Sequence, residues 1–199
     1  MTDEPQTSDQ IAELLVHLGR AARSEDTGSF LTAAQWTCLR FFARANGSTR
    51  TPSAFASFQA TTRGTASQIV KSLERQGLVS RSRSDRDRRS VCFDVTEHGQ
   101  QMLMQDPLRD VIAVIDSLGA AEGARLLRTL SRLTSALSAR RDLPCFGTCQ
   151  DCSHFGSTQD SAYCACMAAD LAETDISKLC ASYAPMPDLH DKETRNAAS

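Results

Sequence analysis

No stretch of this 199-residue chain comes near the roughly 20 consecutive apolar residues that a membrane-spanning helix needs. The first ten residues, MTDEPQTSDQ, are polar and acidic, the reverse of a secretory leader. A soluble, cytoplasmic protein with no membrane partner is expected. Histidine is scarce, four residues scattered along the chain, which leaves acid–base catalysis few candidates. There is no Gly-rich phosphate loop, no H-E-x-x-H and no Ser, His and Asp set in a recognisable context. No segment repeats. These absences point away from an enzyme. What is present, 41% hydrophobic and 23% charged residues, suffices for a buried core and excludes wholesale disorder.

Two features are unevenly spread. The net charge of −2 hides a basic block between positions 32 and 93, where eleven Lys and Arg face three Asp and Glu. A cationic block inside an otherwise acidic chain is the electrostatic footprint of a polyanion partner. Six of the eight cysteines (Cys145, Cys149, Cys152, Cys164, Cys166 and Cys180) fall within positions 145–180. In a cytosolic chain such a cluster reads as metal-binding or redox-active rather than as a disulfide framework.

Hydrophobic periodicity orders the elements. Ile11, Leu14, Leu15 and Leu18 predict a helix over 11–23. Thr32 caps a second helix to about 46, with Trp36, Leu39 and Phe41 or Phe42 inward and Gly47 beyond its end. Thr51-Pro52-Ser53 opens a short helix through 58. A helix over 63–76 buries Ala66, Ile69, Val70 and Leu73 and stops at Gly77. Extended runs at 78–83 and 90–95 flank the charged tip Ser84-Asp85-Arg86-Asp87-Arg88-Arg89, a hairpin whose tip cannot enter a core. Thr96 caps a helix containing Met102, Leu103 and Met104, interrupted near Pro107 and continued through Val111, Ile112 and Ile115. Leu126, Leu127, Leu130, Leu133 and Leu137 stripe a last long helix over 120–140. Composition breaks at Arg140-Arg141-Asp142-Leu143-Pro144. The expected organisation is a flexible tail over 1–10, a winged-helix and dimerisation domain over 11–141, a Cys-rich metal-binding segment over 142–184, and a loose tail over 185–199.

Helix, short helix, helix and hairpin in that order describe a winged helix-turn-helix. The fold class is mainly α with a small β-wing, long dimerisation helices and a small Cys-rich metal-binding appendage. Reading duplex DNA requires short polar side chains on the leading half of a helix. Arg63, Thr65, Ser67, Gln68 and Lys71 supply them, while Gly64 and Ala66 permit close approach. Arg81, Arg83, Arg86, Arg88 and Arg89 of the hairpin suit phosphates or a narrow minor groove. The leucine stripe needs a partner surface, within the monomer or across a homodimer.

These residues resemble the MarR family of transcriptional regulators over about 11–140. Asp87-Arg88-Arg89 matches the wing pattern Asp-Pro-x-Asp-Arg-Arg, and Thr96-Glu97-His98-Gly99 matches Leu-Thr-Glu-x-Gly. Ser84-Asp85 stands where the family has Asp-Pro, and Val95 where it has Leu. The resemblance implies that Arg88 enters the minor groove, that Asp87 orients a neighbouring arginine, and that the first and last long helices build a homodimer. Two wings on a twofold axis imply double-stranded DNA with a pseudo-palindromic operator, its half-sites roughly 10 bp apart.

The cysteine segment lies outside that pattern. Cys149-x2-Cys152 delivers two thiolates from one tight loop, and Cys164 and Cys180 are the natural completion. Cys145 and Cys166 could substitute or pair separately, and His154 is expected to be exposed or to sit behind the ligands. The order C-x2-C-x11-C-x15-C, with Phe155, Tyr163 and Tyr183 nearby, is similar to that of high-potential iron-sulfur proteins, although the loop lengths differ. That similarity implies a [4Fe-4S] cluster shielded by aromatics, with structural zinc as the alternative. Cys38 and Cys92 read as small packed residues. The expected function is a DNA-binding regulator, expected to repress, whose operator affinity follows a C-terminal cluster sensing redox, oxygen or iron status. A cluster attached just after Arg140 would act by moving the dimerisation helix. The alternatives are a regulator answering to a small aromatic ligand with a zinc staple and, remotely, a thiol oxidoreductase.

Overall fold

Four threonines start four helices. In the computed structural model, which describes residues 6–22, 30–83, 91–158 and 161–186, each sits at an N-cap with its hydroxyl on an otherwise unpaired amide. Thr32 begins α2 (Ala33–Arg44) with a full capping box: Thr32 Oγ1 accepts from Gln35 N–H, and Gln35 Oε1 accepts from Thr32 N–H at 2.8 Å. Thr51 begins α3 (Pro52–Phe58), where Pro52 occupies the first turn at no hydrogen-bonding cost. Thr62 begins α4 (Arg63–Arg75). Thr96 begins α5 (Glu97–Leu103) and also donates to Gly77 O at 2.6 Å, joining the end of α4 to the start of α5.

Between α4 and α5 run β1 (Val79–Arg83) and β2 (Val91–Val95), antiparallel from Val79 opposite Val95 to Arg83 opposite Val91. The predicted tip, with Arg86, Arg88 and Arg89, lies outside the described residues. The core fills the space between α2, α3, α4 and this pair: Phe41, Phe42, Phe55, Leu39, Val70, Leu73, Leu78 and Phe93 are all buried. Phe41 and Phe42 both point inward, the first meeting Phe55 and Phe58 and the second Phe55 and Phe93. Ile69, expected inside, is only partly covered at the edge of this core. Gly99 is where α5 crosses the sheet. A Cβ there would fall 2.2 Å from Leu78 O and 2.6 Å from Val95 Cγ1, so the glycine of the Thr-Glu-x-Gly motif answers a packing requirement.

The long helices differ from the core in covering little. α1 (Thr7–Ala22), α6 (Leu108–Asp116) and α7 (Ala120–Arg141) bury no residue fully. α1 starts at Thr7, inside the stretch expected to be a tail, since Thr7-Ser8-Asp9-Gln10 can open a solvated first turn. The break at Pro107 is held by Asp106, whose Oδ1 accepts from Arg40 Nη1 at 2.7 Å and from Leu108 N–H at 2.8 Å.

The cysteine segment folds into a 3-10 turn (Cys149–Asp151), a three-stranded antiparallel sheet of β3 (Phe155–Ser157), β4 (Ala162–Cys164) and β5 (Ala169–Leu171), and the short helix α8 (Glu173–Ile176). It does not trail from α7. It returns to the winged helix, where Leu179 bridges Ala45: Asn46 N–H donates to Leu179 O at 2.9 Å, and Leu179 N–H to Arg44 O at 2.8 Å. Ala181 N–H donates to the buried Thr49 Oγ1 at 2.9 Å, and Phe146 packs edge-on against Phe41 and Phe58. Pro185 and Met186, expected in the loose tail, are tied to Cys152 and Asp151. No helix among the described residues is long and apolar enough to cross a membrane.

Candidate functional site

Two surfaces carry chemistry. The first is α4, whose inward face holds Ala66, Val70 and Leu73. The 3.6-residue period turns Arg63, Thr65, Gln68 and Lys71 outward, and all four are exposed. Ser67 is half-buried in the groove between α4 and the wing, beside Pro52 and Val91. The helix is fixed from behind by Gln35 Nε2, which donates to Ser72 Oγ at 3.0 Å. Thr65 is partly engaged already, its hydroxyl 2.9 Å from Thr62 Oγ1. Arg81, expected to suit phosphates, pairs here through its Nε with Glu74 at 2.9 Å, and its guanidinium lies over the Phe93 ring at 5.9 Å. This arginine braces the wing against α4.

The second surface is a cavity of about 340 Å³ where the cysteine segment meets the winged helix. The segment contributes Cys149, Cys164, Cys180, Met167, Leu171 and Asp175, and the winged helix contributes Asn46, Ser48, Arg50, Cys92 and Asp94. Cys152 follows Cys149 around the 3-10 turn, its N–H donating to Cys149 O at 3.0 Å. Cys164 ends β4, and Cys180 is placed by its N–H on Gly147 O at 2.9 Å. The Cys149 thiol is pushed above its ordinary range by burial first, then by Cys180, Cys152, Cys164 and Asp175. Three of the four cysteines singled out by spacing line this cavity, and the fourth, Cys152, stands beside Cys149.

The remaining candidates are elsewhere. Cys145 is half-buried with its Sγ 3.8 Å from Ser135 Oγ on α7, and Cys166 is exposed. His154 is half-buried and does not line the cavity. Phe155, Tyr163 and Tyr183 do not line the cavity, whose apolar lining is Met167 and Leu171, although Phe155 pairs with Cys164 across the β3–β4 sheet. Tyr183 instead stacks on Gly147, where a Cβ would lie 2.6 Å from its ring. Cys38 is a core residue whose thiol is strongly raised by burial, whereas Cys92 joins the cavity wall, its Sγ 3.6 Å from Gly47 O. Among the described residues no group of three or more His, Cys, Asp and Glu is arranged to hold a single metal ion. Arg50, Ser48 and Asp94 were not legible as site residues: nothing in their local sequence distinguishes them, and they reach the cysteines only through the fold.

A capped α4 set behind a capped α3, followed by a two-stranded wing, is the winged-helix arrangement, and the MarR family model matches residues 31–90. Over those residues the chain is similar to the MarR family. The organic hydroperoxide resistance transcriptional regulator of Bacillus subtilis (strain 168) is 35% identical over 74 residues, 37% of this chain, and the chain spans 49% of that relative's length. Among solved structures, S. aureus MepR in a DNA complex has 17% identity over 67% of this chain and 99% of that chain, with a TM-score of 0.47. The regulator BldR of Sulfolobus solfataricus has 22% identity over 66% of this chain and 99% of its own, with a TM-score of 0.48. A MarR family protein of Mycobacterium tuberculosis in complex with salicylic acid has 20% identity over 67% and 99%, with a TM-score of 0.47. The MarR match ends before the cysteine segment begins.

Proposed function

We propose that this chain is a homodimeric, DNA-binding transcriptional repressor whose operator affinity is set by a [4Fe-4S] cluster on Cys149, Cys152, Cys164 and Cys180. The DNA reading rests on the MarR-type winged helix and on the exposed row Arg63, Thr65, Gln68 and Lys71. Arg63 and Lys71 suit phosphates, and Gln68 suits an adenine edge. Dimerisation is supported by uncovered apolar residues on both long helices, Leu14 and Leu18 on α1 and Leu127, Leu130, Leu133 and Leu137 on α7. A twofold pair of wings then calls for a pseudo-palindromic operator.

One observation carries the cofactor reading. Among the described residues of the cysteine segment, the buried ones are Cys149, Cys152, Cys164 and Cys180 and nothing else. A segment with no apolar core of its own needs a cross-link to hold its shape, and a metal centre supplies it. A single zinc ion would draw its four sulfurs to about 3.8 Å of one another, given Zn–S bonds of about 2.3 Å. Cys149, Cys164 and Cys180 border a volume of about 340 Å³, which leaves room for a multi-iron cluster. Such a cluster, when bound, supplies a redox- and oxygen-sensitive charge. Cys149 and Cys152 would hold it from the 3-10 turn, Cys164 from β4 and Cys180 from the strand-like stretch bridged to Gly147.

A second reading is favoured by a cleft of about 680 Å³ where Leu18, Met104, Val111 and Val114 face Gln105, Asp106, Arg109 and Asp110. There a small aromatic ligand would be the effector and the cysteines a zinc staple. Anaerobic purification followed by absorbance, iron and zinc analysis, and operator titration on the same sample separates the two. Iron with a visible chromophore and a salt-dependent operator affinity that changes on cluster removal are expected. Zinc without iron, together with a response to phenolic acids, would establish the second reading. No salt-sensitive association with any duplex would end both.

A further inference from the structure

Among the described residues, one buried side-chain donor has no acceptor, Arg50 Nε. The same side chain pairs through Nη1 with Asp94 Oδ1 on β2. Its backbone carbonyl accepts from Phe93 N–H at 2.9 Å. Arg50 also lines the cavity with Cys149, Cys164 and Cys180. A cation with one donor committed and another buried and unpaired is placed to receive a second anion. The cavity is where one would arise, because an iron-sulfur cluster held by four thiolates is a net anion in its ordinary oxidation states.

On the reading that Cys149, Cys152, Cys164 and Cys180 hold a cluster, we propose that Arg50 is shared between the Asp94 carboxylate and the thiolate-bound anion in the cavity. This sharing carries the state of the cavity to the wing. Filling the cavity draws the guanidinium away from Asp94, and β2, held to residue 50 at Phe93 and Asp94, feels the change directly. The route runs through the DNA-binding unit of the same protomer and bypasses α7. Linkage makes it reciprocal: operator binding that moves the wing changes the cluster's affinity and potential by the same free energy.

Arg50→Gln, Arg50→Lys and Asp94→Asn test this in the full-length chain, reconstituted anaerobically with ferrous iron and sulfide and titrated with dithionite. Arg50→Gln is expected to take up iron less tightly than the parent, since the cation facing the bound anion is lost. Its midpoint potential should become more negative, because the lost cation no longer offsets the extra charge of the reduced form. A tenfold change in the balance of the two forms corresponds to about 59 mV for a one-electron couple. Arg50→Lys should recover part of that shift. Asp94→Asn should move the potential the other way, and its metal-free form should bind operator as the loaded parent does. Unchanged potentials in both Arg50→Gln and Asp94→Asn, with iron loading intact, overturn the proposal and leave the cluster reading standing. Failure of the parent to take up iron, or uptake of zinc in its place, overturns the cluster reading and this proposal with it. If Arg50→Gln does not fold, the opposed shifts of Arg50→Lys and Asp94→Asn decide.

Discussion

The winged helix and the cysteine segment are built on different physics. In the first, Phe42, Phe55, Leu39, Leu73 and Leu78 are almost fully removed from water around a contiguous core. In the second, the strands are three residues long, Tyr163 is 43% exposed, and burial falls on four thiols. Hydrophobic burial holds an element wherever enough apolar area meets, at about 25 cal/mol per Å². A cysteine cage holds nothing until something joins its sulfurs. On the proposed cluster reading the segment is a conditional structure, ordered by its contents and by its seat on residues 44–50, while the winged helix is ordered by its own core.

The strongest way to break that contrast is to remove a ligand. Cys152→Ser, or chelation of the parent, is expected to open the segment to proteolysis over 145–186 while residues 31–83 stay protected. Structural metal centres can contribute on the order of 10 kcal/mol to small domains, so the loss should be complete rather than graded. Retained protection in the metal-free chain would make the segment self-sufficient and abolish the distinction. Next in size, Phe42→Ala should cost about 3–5 kcal/mol of winged-helix stability by leaving a cavity among Phe41, Phe55 and Phe93, measured by urea denaturation. Its metal content before unfolding should match the parent. The finest test compares two glycines. Gly99→Ala forces a Cβ against the Leu78 carbonyl and should lower the main unfolding transition by about 1–3 kcal/mol, whereas Gly147→Ala displaces only the Tyr183 ring. The second should leave that transition in place and accelerate metal loss to a chelator. A shift of the main transition in Gly147→Ala would show that the two regions unfold as one.

Much of the winged helix was legible because its signals are local. Thr32, Thr51 and Thr96 each stand before a helix, apolar residues recur at 3.6 or 2 positions, and Gly77 ends α4, whereas the Thr62 cap emerged only in the structure. The four cysteines were legible by spacing and by chemistry, and burial separates them from Cys145 and Cys166. The departure was one of place: Ile69, expected inside, fell at the core's rim.

The order of elements, the polar face of α4 and the identity of the four buried thiols were thus written in the chain itself, since each depends on periodicity or spacing among near neighbours. Where the cysteine segment rests, and that Arg50 and Asp94 share its cavity, only the tertiary structure decided. Residues 50 and 180 meet because chain reversals between them bring Leu179 beside Ala45, and contacts closed over such separations leave no mark on the local pattern of either partner.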